Sequence, residues 1–385
     1  VIVRHAANDV LDEASGTPSR DISLCGWLRR TRHLRRIALM HAHQTNVRVS
    51  FTSLPDLAGE LVGGRVCACN DEFFASASNL VRRAAPVFDP DAFTETGKTM
   101  DGWESQRIRR RNRAADDVCD QAIVVLGIPG EIVGVDVDTS WFMRNSPRTV
   151  ELHAAELADG DDPESSDVVW QALAPRTQVA ADTHNLIPVE PSARGWRFTH
   201  VRLTIHPDGG VARLRVYGIG MPLAGVLEAG EVDLAAVVNG GVTISASDEF
   251  YGGISNLLLP GESRRMDEGW ETSRTRDRSL DEWVVVRLAA PGRVRRITVD
   301  TSFFKGNPPD TIRLEGVLLG DAAASTDPAV DPIDWQLLVP TSDVGAHAAH
   351  EFDAAPDGPI VDHVRLVIEP DGGVARLRVW GEVEQ

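Results

Sequence analysis

Two short blocks carry the side chains that acid–base chemistry on a small anionic molecule would use. GKTMDGWESQR, from Gly97 to Arg107, sets Lys98, Asp101, Glu104 and Arg107 around Trp103. MDEGWETSR, from Met266 to Arg274, keeps Asp267, Trp270, Glu271 and Arg274 but lacks the lysine, with Arg265 just before the methionine. Carboxylates of this kind move protons or orient water, and a guanidinium fork clamps a carboxylate. The same residues also fit a plainer reading, in which the tryptophan packs in the core and the glutamate and arginine pair on a loop. A second pair of blocks, DTSWFMRNSP and DTSFFKGNPP, brings Asp138 and Asn145, and Asp300 and Asn307, to the ends of apolar runs. Asx and Ser/Thr turns explain these residues without chemistry, although strand ends are also where loops gather and sites are built. His184 and His350 stand at loosely equivalent places, as do His200 and His363. There is no HExxH, GxSxG or P-loop, and the lone HxH, His41 and His43, falls in a segment without a counterpart.

These residues come in matched pairs because the chain repeats itself. DEFFASASNL from Asp71 answers DEFYGGISNL from Asp248, WQALAP from Trp170 answers WQLLVP from Trp335, and HPDGGVARLRVYG answers EPDGGVARLRVWG. The order is the same in both halves. A spacing of about 165 residues is far too long for a solenoid unit and matches a whole domain. Short alternating runs such as AIVVLGI and HVRLTIH, punctuated by Pro, Gly, Asp and Asn, predict strands. Val201 to Tyr217, with Asp208 and Gly209 at its centre, reads as a hairpin, and so does Val364 to Trp380. Arg213 with Arg215, and Arg376 with Arg378, then share one strand face, expected to be solvated. Short helices are expected at Asn79 to Arg83 and Asn256 to Leu259. The expectation is an all-β protein of two tandem jelly-roll β-sandwich domains from an internal duplication, residues 51–222 and 223–385, behind an unmatched extension, residues 1–50.

Composition narrows the function classes. With 385 residues and 42% hydrophobic content the chain can bury two ordinary cores. A net charge of -18 argues against nucleic acid or an anionic membrane as partner. No apolar run is long enough to span a bilayer, and no secretory signal is visible. Cys25, Cys67, Cys69 and Cys119 all lie outside the second repeat, which fits reduced thiols in a cytoplasmic protein better than a shared disulfide framework. Cys67 and Cys69 flank one residue of a strand, with no second pair at zinc spacing. The opening VIVRHAAN, with His5, faintly resembles the start of histidine phosphatases, but the rest of such an enzyme is missing.

Taken together and in order, twice over, the DEFFASASNL, GKTMDGWESQR, VDVDTSWF and HPDGGVARLRVYG blocks resemble the allantoicases, over roughly Phe51 to Gly381. The resemblance implies two galactose-binding-like jelly rolls, a homo-oligomer, and hydrolysis of allantoate to (S)-ureidoglycolate and urea in purine degradation. Such a substrate carries one carboxylate and two ureido groups on one carbon. Arg107 or Arg274 would hold the carboxylate, with Lys98, Asn145 and Asn307 beside it. Glu104 or Glu271 would carry the proton, and Asp101, Asp267, Asp138, Asp300, His184 and His350 would orient water, ureido groups or a metal. A divalent ion such as Mn²⁺ is compatible with these acids and histidines, although their spacing does not show a cage. Which repeat holds the site stays open. The competing reading is a non-catalytic carbohydrate-binding sandwich using some of the nine tryptophans, most of which sit at repeat-matched positions that suggest core packing.

Overall fold

The computed structural model describes residues 51–107, 118–276 and 280–384; the extension at 1–50, with His5, Cys25, His41 and His43, lies outside them. Each repeat folds around one long strand. In the first, β1 (Arg65–Cys69) is followed by β2 (Asp120–Asp138), β3 (Thr149–Ala155), β4 (Gln171–Gln178), β5 (His184–Pro188), β6 (Phe198–His206) and β7 (Arg213–Gly220). Asp120 to Val125 of β2 pairs with β1 and β6, and β6 continues to β3 and β4. Beyond a corner at Gly127 and Gly130, the rest of β2 pairs instead with β5 and β7. One strand therefore serves two sheets, which face each other as a jelly-roll sandwich. The corner needs glycine: a Cβ on Gly127 would lie 2.2 Å from the Val62 carbonyl, and one on Gly130 would lie 2.2 Å from that of Ile219.

The second repeat has the same plan, with β8 (Val242–Ala246), β9 (Glu282–Asp300), β10 (Thr311–Val317), β11 (Gln336–Asp343), β12 (Ala349–Asp353), β13 (Ile360–Glu369) and β14 (Arg376–Val383). The first half of β9 pairs with β8 and β13, and the second half with β12 and β14. The all-β double jelly roll expected from the sequence is thus what the chain forms. Its cores are the inward rows of these strands, such as Val135 and Val137 of β2, Leu203 and Ile205 of β6, and Leu214 and Val216 of β7, all fully buried. At roughly 1.5–3 kcal/mol for each large side chain removed from water, these rows dominate the stability of each sandwich. The two short helices appear as 3-10 turns, Ala77–Val81 and Ile254–Leu258.

Three expectations are corrected. Val201 to Tyr217 is not a hairpin: β6 and β7 both pair with β2, on different halves of it, so the Asp208–Gly209 segment arches from one sheet to the other. Alternation and an Asp-Gly turn serve either connection; here Gly209, at φ +134, packs where a Cβ would lie 2.5 Å from the Asn145 carbonyl. The segment from Val364 to Trp380 arches in the same way between β13 and β14, which both pair with β9. Nor do the paired arginines face solvent. Arg213 and Arg376 are 1% and 5% exposed, because loops from Ala84 to Asp101 and from Gly261 to Glu268 cover that face and supply acceptors. Finally, not every matched tryptophan is core. Trp103 and Trp270 are fully buried, with their indole N–H groups on the carbonyls of Asp71 and Asp248. Trp170 and Trp335, by contrast, are half-buried and stack under Arg202 and Arg365.

Candidate active site

Where the arch between β6 and β7 meets the loop after β2, the first repeat opens a cleft of about 660 Å³. Glu104 lies in it, only 8% exposed, on a two-residue strand that Trp103 anchors in the core. The Asn145 side-chain amide donates to Glu104 Oε1 at 2.7 Å, and the Asn145 carbonyl accepts the N–H of Gly210, so the arch fixes the loop residue that holds the carboxylate. Burial raises the Glu104 carboxyl above its ordinary value, against the opposing pull of the Asn145 hydrogen bond and the Arg107 charge. Lys98, Arg107, Arg144 and Arg148 line the same cleft, with Asp208, Ser105 and Phe74. Lys98 is placed by its ammonium, which donates to the Asp89 carbonyl and lies 5.3 and 5.2 Å from the ring centres of Phe88 and Phe93. A shielded carboxyl, raised above its ordinary value by burial, within a ring of cations is suited to binding a small organic anion and exchanging a proton with it.

Of the residues singled out in the sequence, Lys98, Glu104, Arg107 and Asn145 come together here. Asp101 does not line the cleft. Its carboxylate takes both Arg213 Nη2 contacts, at 3.0 and 2.9 Å, together with Arg82 and the Val87 N–H, so it neutralises the buried arginine. Burial raises its carboxyl, but these hydrogen bonds and the two arginine charges outweigh that and leave it below its ordinary value. Asp138 and Asp300 accept the N–H of Ser140 and Ser302, each at 2.8 Å, as the turn reading had it. His184 pairs with Asp136 at 2.7 Å on the sheet formed by β2, β5 and β7, and this bond raises the imidazole above its ordinary value.

In the second repeat Asn307 donates to Glu271 at 2.6 Å, reproducing the Glu104–Asn145 pair. The rest diverges. Gly306 and Asp310 stand where Arg144 and Arg148 stand in the first copy, and Arg264, two residues before Met266 as Lys98 is before Met100, turns to Glu268 at 3.1 Å. Arg274 is exposed. Two supposed equivalences are corrected by register. The extra residue in MDEGW makes Glu268 the counterpart of Asp101: Arg213 donates to the Asp101 carbonyl and Arg376 to that of Glu268. Asp267 is left to contact Arg83 of the first repeat at 3.2 Å. His350 faces Val299 on β9, just as Asn185 faces Val137 on β2, and it accepts the Gly345 N–H as Asn185 accepts that of Ala180. It is therefore the partner of Asn185, a loop clasp, and has no positional likeness to His184.

A divalent metal does not fit these donors. Among the described residues no three of His, Cys, Asp and Glu gather, and four cations surround the cleft that holds Glu104. The sequence reading missed Arg144, Arg148 and Asp208. The signal for the two arginines was present as a difference between copies, because RNSPR in one repeat is GNPPD in the other.

Comparison with known proteins agrees with this architecture. A family model described as the allantoicase repeat matches twice, over residues 55–221 and 232–384. The chain belongs to the allantoicase family. It is 44% identical to a probable allantoicase of Nocardia farcinica over 86% of this chain and 95% of that one. It is 40% identical to a probable allantoicase of Photobacterium profundum, covering 86% and 98%. The crystal structure of allantoicase from Saccharomyces cerevisiae is similar throughout, with 33% identity, a TM-score of 0.69, and coverage of 86% of this chain and 96% of that chain.

Proposed function

We propose that the first-repeat cleft is where this allantoicase-family hydrolase cleaves allantoate to ureidoglycolate and urea. The observation that carries the assignment to this repeat is the ring of Lys98, Arg107, Arg144 and Arg148 around a buried glutamate, three of whose members have no cationic counterpart facing Glu271. The cations hold the substrate carboxylate and offset its desolvation. Asn145 holds one Glu104 oxygen, which leaves the other for the reaction.

Glu104, biased by burial toward its protonated form, gives its proton to the departing ureido nitrogen as the bond from that nitrogen to the central carbon breaks. The carboxylate so formed takes a proton from water, whose oxygen bonds to the same carbon. Urea leaves with the proton that Glu104 gave, the product carries the hydroxyl, and Glu104 is restored. Urea release by Glu104→Gln tests the assignment: a loss of at least about a hundredfold in kcat is expected for a positioned acid–base group, and wild-type turnover would refute it.

Among the described residues no helix is long and apolar enough to cross a membrane. We place the enzyme in the cytoplasm, a reading supported by Cys67, Cys69 and Cys119 being free thiols. We also infer a homo-oligomer from the family, which light scattering of the purified protein reads directly.

A further inference from the structure

A second cavity, of about 610 Å³, lies away from the Glu104 cleft, where the connector from Met221 to Glu228 passes over the second repeat. Its walls are largely apolar, with Met221, Leu223, Leu227 and Leu288. Arg287 and His363 also line it, as direct cross-strand partners on β9 and β13. Arg287 is half-buried and its guanidinium has no hydrogen-bond or ion-pair partner among the described residues. His363 is 4% exposed, and its Nδ1 lies 2.8 Å from Asp362 Oδ1. Asp362 in turn accepts the N–H groups of Leu319 and Gly320, so the imidazole is fixed with Nε2 as its remaining polar atom.

The other repeat shows that the fold requires neither the arginine nor the carboxylate. Arg287 faces His363 across the ladder as Val125 faces His200. Asp362 accepts the Leu319 N–H as the Thr199 hydroxyl accepts that of Leu157, and His200 pairs with this hydroxyl at 2.9 Å. Relative to the first copy, which also has the histidine, the second has thus gained a guanidinium beside it and a carboxylate in place of the hydroxyl behind it. The Arg287 guanidinium at the cavity wall has no acceptor from the described residues, so a bound anion would give it a charge-assisted partner. Glu228 is the cavity's other acid, and it sits on the connector.

We propose that this cavity is a binding site for a small organic carboxylate, its anionic end on Arg287 and His363 and its apolar body against the leucine-lined connector. The site is separate from the hydrolytic one and does not depend on the assignment of Glu104. Calorimetric titration of the full chain with benzoate tests it, with benzamide as the neutral isostere. The natural control is Arg287→Val, which installs the residue the first repeat already carries at this position.

The wild type is expected to bind benzoate saturably and benzamide at least about tenfold more weakly, the loss of one charge-assisted contact. Arg287→Val should lose at least about tenfold in benzoate affinity while keeping wild-type urea release, and Arg144→Ala should keep the benzoate affinity. Absence of saturable benzoate binding, equal affinity in Arg287→Val, or loss of that affinity in Arg144→Ala would each overturn the proposal.

Discussion

Asp101 and Glu104 are three residues apart and look alike in the sequence, yet the structure gives them opposite thermodynamic roles, and Asp101→Asn beside Glu104→Gln separates them. Arg213 is 1% exposed, and its guanidinium rests on the carbonyls of Ala84, Asp101 and Ala212 and on both Asp101 carboxylate oxygens. Removing one member of a buried ion pair costs roughly 3–5 kcal/mol. Asp101 is itself 21% exposed and Arg213 keeps its three carbonyls, so the lower end applies, about 3 kcal/mol. For a unit of 150–250 residues that is a fall in melting temperature of about 6–12 °C, with turnover near wild type.

The pH dependence has a definite sign. The Asp101 carboxyl lies below its ordinary value of 3.8, so its contribution is complete above that value and disappears as pH falls through the lower, folded-state one. The gap between wild type and Asp101→Asn should therefore be constant near neutrality and close in acid. Glu104 lies above its ordinary 4.5, so its contribution is present in acid and lost as pH rises through the folded-state value. Glu104→Gln should be at least as stable as wild type at neutral pH while losing turnover, the trade expected of a strained functional group. Thermal melts and urea release on both variants decide the matter. A shift of less than about 2 °C for Asp101→Asn would refute the buried-pair reasoning, since that is no more than an exposed ion pair of up to about 1 kcal/mol contributes. Loss of turnover without loss of stability would return Asp101 to the reaction.

Other outcomes follow from the same geometry. Arg144→Ala and Arg148→Ala should each lower kcat/KM for allantoate by about tenfold to a hundredfold, the worth of a charge-assisted contact, whereas Arg274→Ala should change it little; steady-state urea release reads all three. Dialysis against a chelator should leave turnover intact, because the described residues of the cleft offer only two carboxylates, Glu104 and Asp208, against four cations; loss of activity restored by Mn²⁺ would refute this. Gly210→Ala should destabilise by about 1–3 kcal/mol or more, as its Cβ would lie 1.9 Å from the Phe142 ring, and a melt checks it.

The double sandwich was legible because duplication displays each strand and turn twice, and because alternating burial leaves a period-two pattern that survives substitution. Its connections were not. A turn such as Pro207 to Gly210 looks the same whether the chain returns beside its own strand or crosses to the facing sheet, and only the partner, β2, distinguishes the two. The buried arginines were misjudged for a related reason. Alternation places Arg213 and Val216 on opposite faces, but it cannot show that the loop from Ala84 to Asp101, well before β2, lies over the outer one. Within the cleft, Glu104 and Asn145 could be found because both copies keep them. Arg144 and Arg148 could not be found that way, since a search for what the copies share passes over what only one of them has.

That asymmetry bears on Glu271. The Glu–Asn pair is common to both repeats, at 2.7 Å in one and 2.6 Å in the other, and each asparagine carbonyl also accepts the N–H of its arch, from Gly210 or Gly373. The pair by itself is therefore part of how the sandwich closes its rim. In the proposed assignment, what converts it into a reactive centre is its surroundings. Around Glu104 a carboxylate substrate meets Lys98, Arg144 and Arg148; around Glu271 the matching places hold Gly306, Asp310 and an arginine already bound to Glu268. At the position of Arg148 the second repeat has Asp310, a negative charge in place of a positive one, which disfavours an anion there before any proton moves. Glu271→Gln should accordingly keep urea release within about twofold of wild type, against a loss of at least about a hundredfold for Glu104→Gln. Equal losses in the two variants would mean that both rims turn over substrate, and that the cations of the first are not what makes it active.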